Sequence, residues 1–141
     1  MAAAVVNICV DPRLNHESLR AQVAARSAGA VLAGRVFITN EPGGNFGSSA
    51  RSTIALLKRT NEPVGLAAVL HHDSCVAAAA GLRQDLAAAA KALQEALAKA
   101  GFDTAVLTGS IVTENSTILW TDQPLKSSEV LSFRMPRMYG R

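Results

Sequence analysis

The sequence contains only two cysteines, and each stands near other side chains that can bind a metal ion. Cys9 is followed by Asp11 and Arg13, in a Cys-x-Asp-x-Arg pattern. Cys75 comes three residues after His72, in a His-x-x-Cys pattern. Together the two patterns supply two thiolates, one imidazole and one carboxylate. This set of groups favours zinc in a tetrahedral site with one exchangeable position.

The roles of the five residues follow from their chemistry. Cys9, His72 and Cys75 are the predicted metal ligands, and they leave a fourth position for water, whose pKa then falls towards about 7. Asp11 is close enough along the chain to be a fourth ligand or to accept a hydrogen bond from that water. Arg13 can pair with Asp11 and orient its carboxylate. Breaking this pair would free Asp11 to coordinate the zinc and shut the site.

These residue types also have ordinary structural roles. A single buried cysteine is usually a small apolar core residue. Asp11 before Pro12 is common in turns, and Arg13 alone is an ordinary surface charge. His71 has either a packing role or a backbone hydrogen bond, and His16 is expected on an exposed helix surface. The metal site is favoured because both cysteines follow apolar runs and have ligand-type neighbours.

Hydrophobic periodicity and turn residues predict the elements that must position these residues. Apolar strands over about 3–10 and 64–70 lead to the two cysteines. Each cysteine is therefore expected at the C-terminal end of a strand, which is where an open parallel sheet holds its ligands. Further strands are predicted over about 35–39, 104–107 (with an extension to 112 left open) and 117–120. Helices are predicted over about 16–27, 48–59 and 76–80, and from Leu82 through Leu97.

This alternation predicts an α/β fold with a single domain. Its central sheet is mostly parallel, with about five strands, an antiparallel edge strand and helices on both faces. The strand over 64–70 is expected at the centre. Residues 40–49 contain three glycines and a proline and are predicted to lack regular structure. They fit neither the dinucleotide nor the P-loop glycine pattern.

Composition excludes several classes of protein. The 141 residues carry a net charge of +3 with scattered basic residues and few aromatics, which argues against a nucleic-acid groove. No apolar run reaches the roughly 18 residues of a membrane span, and the N-terminus does not resemble a secretory signal. The protein is therefore expected in the cytoplasm. A single disulfide is arithmetically possible, but in that compartment free thiols or metal ligands are expected.

The two cysteine patterns resemble those of the β-class carbonic anhydrases, especially their short prokaryotic branch. Residues 9–14 match that branch's Cys-x-Asp-x-Arg-Leu, and residues 71–75 match its His-His-x-x-Cys. Weaker similarities follow in the same order at 36–44, 50–55 and 106–119. The resemblance covers roughly residues 4–122, so residues 1–122 are assigned to a β-carbonic-anhydrase-like zinc domain. Residues 123–141 are expected to pack on a neighbouring subunit or to be partly disordered.

The resemblance implies a zinc enzyme that hydrates carbon dioxide reversibly to bicarbonate through a zinc-bound hydroxide. Cys9, His72 and Cys75 would bind the Zn²⁺, and the Asp11–Arg13 pair would keep the bound water available. The family builds its active site at a dimer interface, and larger assemblies are common, so self-association to a homodimer or larger oligomer is expected. No nucleic-acid or membrane partner is expected.

The sequence departs from the family pattern at two places near the presumed pocket. Val76 replaces the glycine that usually follows the second cysteine, and Glu41-Pro42 replaces an Asn-Ala pair. Two alternatives therefore stay open. One is a hydrolase of carbon disulfide or carbonyl sulfide on the same scaffold, and the other is a catalytically silent zinc-binding scaffold subunit. His71 is a candidate proton shuttle.

Overall fold

The computed structural model describes residues 2–121, and its elements alternate as the sequence predicts. In chain order they are β1 (Ala2–Cys9), α1 (His16–Arg26), β2 (Val31–Glu41), a 3₁₀ turn (Pro42–Gly44), α2 (Ser48–Arg59), β3 (Val64–His72), α3 (Val76–Ala79), α4 (Leu86–Lys99), β4 (Val106–Val112) and β5 (Thr117–Trp120). The predicted tail, residues 123–141, lies outside the described residues. Within 2–121, no helix has the length and apolar character needed to cross a membrane.

The five strands form one sheet in the order β2-β1-β3-β4-β5. The first four strands pair in parallel, and β5 pairs antiparallel with β4 at one edge. The predicted fold class and the central place of β3 are therefore confirmed. Because β1 and β3 are parallel neighbours, their carboxyl ends lie side by side at the same edge of the sheet.

Alternate side chains of the central strands enter two apolar layers, one on each face of the sheet. Helix α1 covers one layer with Leu19 and Val23, both fully buried. Helices α2 and α4 cover the other with Ile54, Leu57, Leu93 and Leu97. Burying a side chain of this size stabilises the fold by about 1.5–3 kcal/mol. The small alanines of β1 and β3 allow these helices to pack closely on the sheet.

The helix predicted to begin at Leu82 begins instead at Leu86, so that boundary was wrong. Asp85 caps α4, since its side chain accepts a hydrogen bond from the Ala88 N–H. Gly81 has a positive φ of 75° and ends the short helix α3. Leu82 therefore lies in the connection between two helices and is exposed.

Two strands are longer than predicted. Strand β2 runs over Val31–Glu41 rather than 35–39, and as an edge strand it accommodates Gly34. Strand β3 continues through His72 because its last residues pair with β4, His72 lying opposite Ile111. The prediction that His71 and His72 belong to a loop was wrong. The stretch 40–49 is also more regular than expected, since it contains the end of β2 and the 3₁₀ turn.

Candidate metal centre

Cys9, His72 and Cys75 come together at the carboxyl edge of the sheet. One ligand atom from each lies within 4.8 Å of the other two, and all three residues are buried. The Sγ atoms of the two cysteines are 4.0 Å apart, and both thiols are free. Cys9 ends β1, His72 ends the neighbouring β3 and Cys75 caps α3, so the strand order brings the three together.

The ring of His72 is held in one tautomer by its neighbours. Its Nδ1 lies 2.7 Å from the carbonyl oxygen of Asp73 and 3.0 Å from Oγ1 of Thr113. A carbonyl oxygen only accepts hydrogen bonds, so Nδ1 carries the proton and donates it. In the neutral ring this leaves a free lone pair on Nε2. That nitrogen is buried and has no hydrogen-bond partner among residues 2–121.

Each cysteine sulfur accepts a hydrogen bond from a backbone N–H. The N–H of Gly43 lies 3.3 Å from the Cys9 Sγ, and the N–H of Ala78 lies 3.4 Å from the Cys75 Sγ. Such donors lower the cost of a buried negative charge on sulfur. The centre therefore offers two sulfur atoms with hydrogen-bond support and one unpaired imidazole nitrogen. This donor set fits a zinc ion, which would also satisfy the otherwise unpaired Nε2 of His72.

Asp11 and Arg13 form the predicted pair beside the cluster. The Nε and Nη2 atoms of Arg13 donate to the two carboxylate oxygens of Asp11 at 2.9 and 2.6 Å. Arg13 Nη2 also donates to the carbonyl oxygen of Ser74, so it links the two ligand-bearing segments. The hydrogen bonds from Arg13 lower the pKa of Asp11 to about 2. Asp11 Oδ2 lies 3.8 Å from Nε2 of His72, so it is next to the cluster while it accepts a hydrogen bond from Arg13.

Two residues that depart from the pattern of the β-carbonic anhydrases, Val76 and Glu41, lie in different surroundings. Val76 is 77% exposed. The carboxylate of Glu41 accepts a hydrogen bond from the Ser49 N–H at 3.0 Å, in the first turn of α2. This contact needs the glycine at position 47, because a Cβ there would approach the Glu41 carboxylate to 2.7 Å. The Glu41 carboxylate thus binds a backbone N–H in the first turn of α2.

His71 is buried, and its environment opposes protonation. Burial, followed by the positive charge of Arg83, lowers the pKa of His71 to about 4. A proton shuttle works best when its pKa is near the working pH. His71 is therefore poorly suited to the shuttle role considered from the sequence.

Three residues that support the centre were missed by sequence reasoning. They are Thr113, which contacts His72, Gly43, which contacts Cys9, and Asn7, which holds the loop containing Gly43. Asn7 alone left a signal, since it is a polar residue inside an apolar strand. Thr113 and Gly43 are 41 and 34 residues from the side chains they contact, and no local pattern connects them.

No model of a known protein family matches the sequence, and no curated protein matches it either. Solved structures do resemble its fold. A carbonic anhydrase from Streptococcus mutans aligns with 84% of this chain and 81% of its own, at 17% identity and a TM-score of 0.53. One of two tetrameric β-carbonic anhydrases from Sordaria macrospora aligns with 89% of this chain and 83% of its own, at 13% identity and a TM-score of 0.54. This chain therefore has the fold of the β-carbonic anhydrases.

Proposed function

We propose that this chain is a zinc-dependent carbonic anhydrase of the β class, a lyase that interconverts carbon dioxide and bicarbonate. The observation that carries the proposal is one buried cluster, Cys9, His72 and Cys75, on the fold of the β-carbonic anhydrases. The Asp11–Arg13 pair stands beside that cluster. Two thiolates and one imidazole are a set of ligands that zinc prefers and that leaves one position for water.

The residues of the chain divide the work between them. When bound by Cys9, His72 and Cys75, zinc lowers the pKa of water and so supplies a nucleophile near neutral pH. Asp11 is ionised at neutral pH because its pKa is about 2, so it can accept a hydrogen bond from a water molecule in the site. Arg13 holds that carboxylate in a single orientation through two hydrogen bonds. The pair thus orients the reacting water without taking up a proton itself.

We also propose that the active form is a homodimer or a larger assembly. Val10 and Val76 each directly follow a ligand cysteine, and they are 52% and 77% exposed. Apolar side chains exposed around a buried polar cluster are typical of a surface that another subunit covers. The similar Sordaria macrospora enzymes are described as tetrameric. Sedimentation analysis of the zinc-loaded protein would give the size of the assembly.

A single preparation tests the function and separates the alternatives. Zinc-loaded protein is analysed for metal, and carbon dioxide hydration is followed by stopped flow with a pH indicator. About one zinc per chain together with rapid hydration supports the proposal. The control is the same protein stripped by a chelator and then restored with zinc, which should lose and regain the rate.

Other outcomes contradict the proposal in distinct ways. Turnover of carbon disulfide or carbonyl sulfide without carbon dioxide hydration would identify the sulfur-specific hydrolase. Bound zinc without turnover of any of the three substrates would identify the silent scaffold subunit. A protein that binds no zinc and contains a disulfide between Cys9 and Cys75 would refute the metal centre itself.

A further inference from the structure

Asn7 is a fully buried polar residue inside strand β1, two positions before Cys9. Ala3 and Val5, at the same two-residue spacing, lie in the apolar layer under α2 and α4. An amide in such a row is costly to bury unless all of its polar atoms find partners. An apolar residue at position 7 would avoid this cost, so the contacts of Asn7 need an explanation.

The amide of Asn7 is fully hydrogen-bonded, and both of its N–H groups hold one loop. Nδ2 donates to the carbonyl oxygens of Gly44 at 2.7 Å and of Asn45 at 3.0 Å. Oδ1 accepts a hydrogen bond from the hydroxyl of Thr39 at 2.6 Å, on the neighbouring strand β2. Asn7 therefore ties residues 43–45, which we call the glycine loop, to the core of the sheet.

The glycine loop lies directly on Cys9. The N–H of Gly43 donates to the Cys9 Sγ, and a Cβ on Gly44 would lie 3.5 Å from the Cys9 backbone nitrogen and 3.4 Å from the ring of His71. Gly43 and Gly44 both have positive φ values, 74° and 73°, which residues other than glycine rarely adopt. The position of this loop therefore decides whether the Cys9 sulfur receives a hydrogen bond.

The outer side of the glycine loop is held by a second amide. Nδ2 of Asn45 donates to the carbonyl oxygen of Leu82 at 2.8 Å, and its Oδ1 accepts from the N–H of Gln84 at 2.6 Å. The glycine loop is thus held on two sides. Asn7 binds its carbonyl oxygens from the core, and the side chain of Asn45 binds the backbone of residues 82 and 84 nearer the surface. The sulfur of Cys75 has no such dependence, since its donor Ala78 belongs to the turn that Cys75 itself caps.

We propose that Asn7 is a positioning residue that sets how strongly the Cys9 thiolate donates electrons to a bound metal ion. This inference rests on the proposed function, because it requires that Cys9 binds a metal. A thiolate that shares its charge with an N–H donates less to the metal, and the ion then acts as a stronger Lewis acid towards water. Asn7 acts only through the Gly43 N–H and therefore on only one of the two sulfurs.

The test replaces Asn7 with leucine, which has the same number of side-chain heavy atoms and the same branching but no donor, in protein loaded with Co²⁺. In Asn7→Leu, the charge-transfer band from thiolate to cobalt should move to longer wavelength, because a sulfur without its N–H contact holds its electrons less tightly.

The matched control is Thr39→Val, which removes the other hydrogen bond of Asn7 but leaves its two donations to the loop. It should lower stability and leave the cobalt band in place. A residue with a purely structural role would give the same band in both variants, and that result would overturn the proposal.

If Asn7→Leu does not fold, as judged by circular dichroism, Asn45→Ala loosens the loop from its exposed side. It should shift the band in the same direction, and an unchanged band would again refute the inference.

The wild-type protein separates failure of this inference from failure of the proposed function. Wild-type protein that binds no Co²⁺ would refute both. If it shows the cobalt–thiolate band but hydrates no carbon dioxide, the proposed function fails, and a band shift in Asn7→Leu still supports the role of Asn7. If it hydrates carbon dioxide and Asn7→Leu has a wild-type band, only the inference fails.

Discussion

The two segments that supply the metal cluster are held in different ways. In the segment after β3, the Cys75 sulfur accepts a hydrogen bond from the N–H three residues further on, and His72 donates to the carbonyl oxygen of the next residue. At the end of β1, the Cys9 sulfur accepts its hydrogen bond from Gly43, 34 residues away. Much of the first arrangement can form within one turn of chain, whereas the second exists only in the folded protein.

This difference separates the two sulfurs as experimental targets. The donor to Cys75 is present whenever the turn at α3 forms. The donor to Cys9 depends on the glycine loop and therefore on Asn7 and Asn45. Changes in remote parts of the sheet should then reach the metal centre mainly through Cys9. The following substitutions test this difference, beginning with the one expected to have the greatest effect.

Replacing either cysteine by serine should have the largest effect. Both Cys9→Ser and Cys75→Ser should lose zinc and carbon dioxide hydration, because a neutral hydroxyl is a much poorer zinc ligand than a thiolate. Metal analysis and stopped-flow assays measure both losses. Unfolding of the two metal-free variants by urea then compares how far each segment depends on its cysteine. Serine is a good helix cap, so Cys75→Ser should keep the stability of the metal-free protein better than Cys9→Ser does. Retention of zinc by either variant would contradict the metal centre.

Breaking the Asp11–Arg13 pair should have the next largest effect. Asp11→Asn and Arg13→Ala should each lower kcat/KM for hydration by about 100-fold while zinc stays bound, because the water loses an ionised, oriented acceptor. Arg20→Ala is the control, since Arg20 is a similar side chain that contacts a carbonyl oxygen at β2. Loss of hydration in a folded, zinc-loaded Arg13→Ala protein would also rule out the silent scaffold. Unchanged hydration in both pair variants would remove Asp11 and Arg13 from the mechanism.

Thr113→Val tests a remote contact of the His72 ring. The hydroxyl of Thr113 contacts the His72 ring and both the carbonyl and carboxylate oxygens of Asp73. We expect zinc affinity to fall by about 10-fold, because the Asp73 carbonyl still holds the ring. The matched control is Thr104→Val, which removes a hydroxyl bonded to the Val64 carbonyl at the opposite end of β3. Both should lose about 1 kcal/mol in the free energy of unfolding, but only the first should lose affinity. Equal zinc affinities would show that the ring needs only its local contact.

Val76→Gly should have the smallest effect. It introduces the glycine usual in the β-carbonic anhydrases that the sequence resembles, but Val76 is largely exposed, so hydration should change by no more than about twofold. The free energy of unfolding should fall by roughly 0.5–1 kcal/mol, because glycine is a poor helix former. A large gain in hydration would instead show that Val76 restricts access to the site, which would revive the sulfur-specific or silent alternatives.

The sequence predicted the fold well, and the structure brings the predicted metal ligands close together. The apolar runs leading to Cys9 and Cys75 indicated parallel strands, and these strands are neighbours in the sheet. The Asp11–Arg13 pair was predicted from a spacing of two residues, and the structure contains it. These successes share one cause, because hydrophobic period and short spacings are local properties.

The failures also share one cause, which is that strand pairing and loop packing are not local. His72 became part of β3 because β4 offers it a partner, and no property of His71-His72 itself predicts this. The same holds for Gly43 and Thr113, which contact Cys9 and His72 from distant parts of the chain.

The sequence alone therefore determined which residues can bind a metal and which strands carry them, since residue type and short-range pattern encode both. The tertiary structure was needed for three other features: Thr113 contacts the ring of His72, Glu41 accepts a hydrogen bond from α2, and Asn7 holds the loop on Cys9. Each of these depends on hydrogen bonds whose geometry forms only when separate elements pack together.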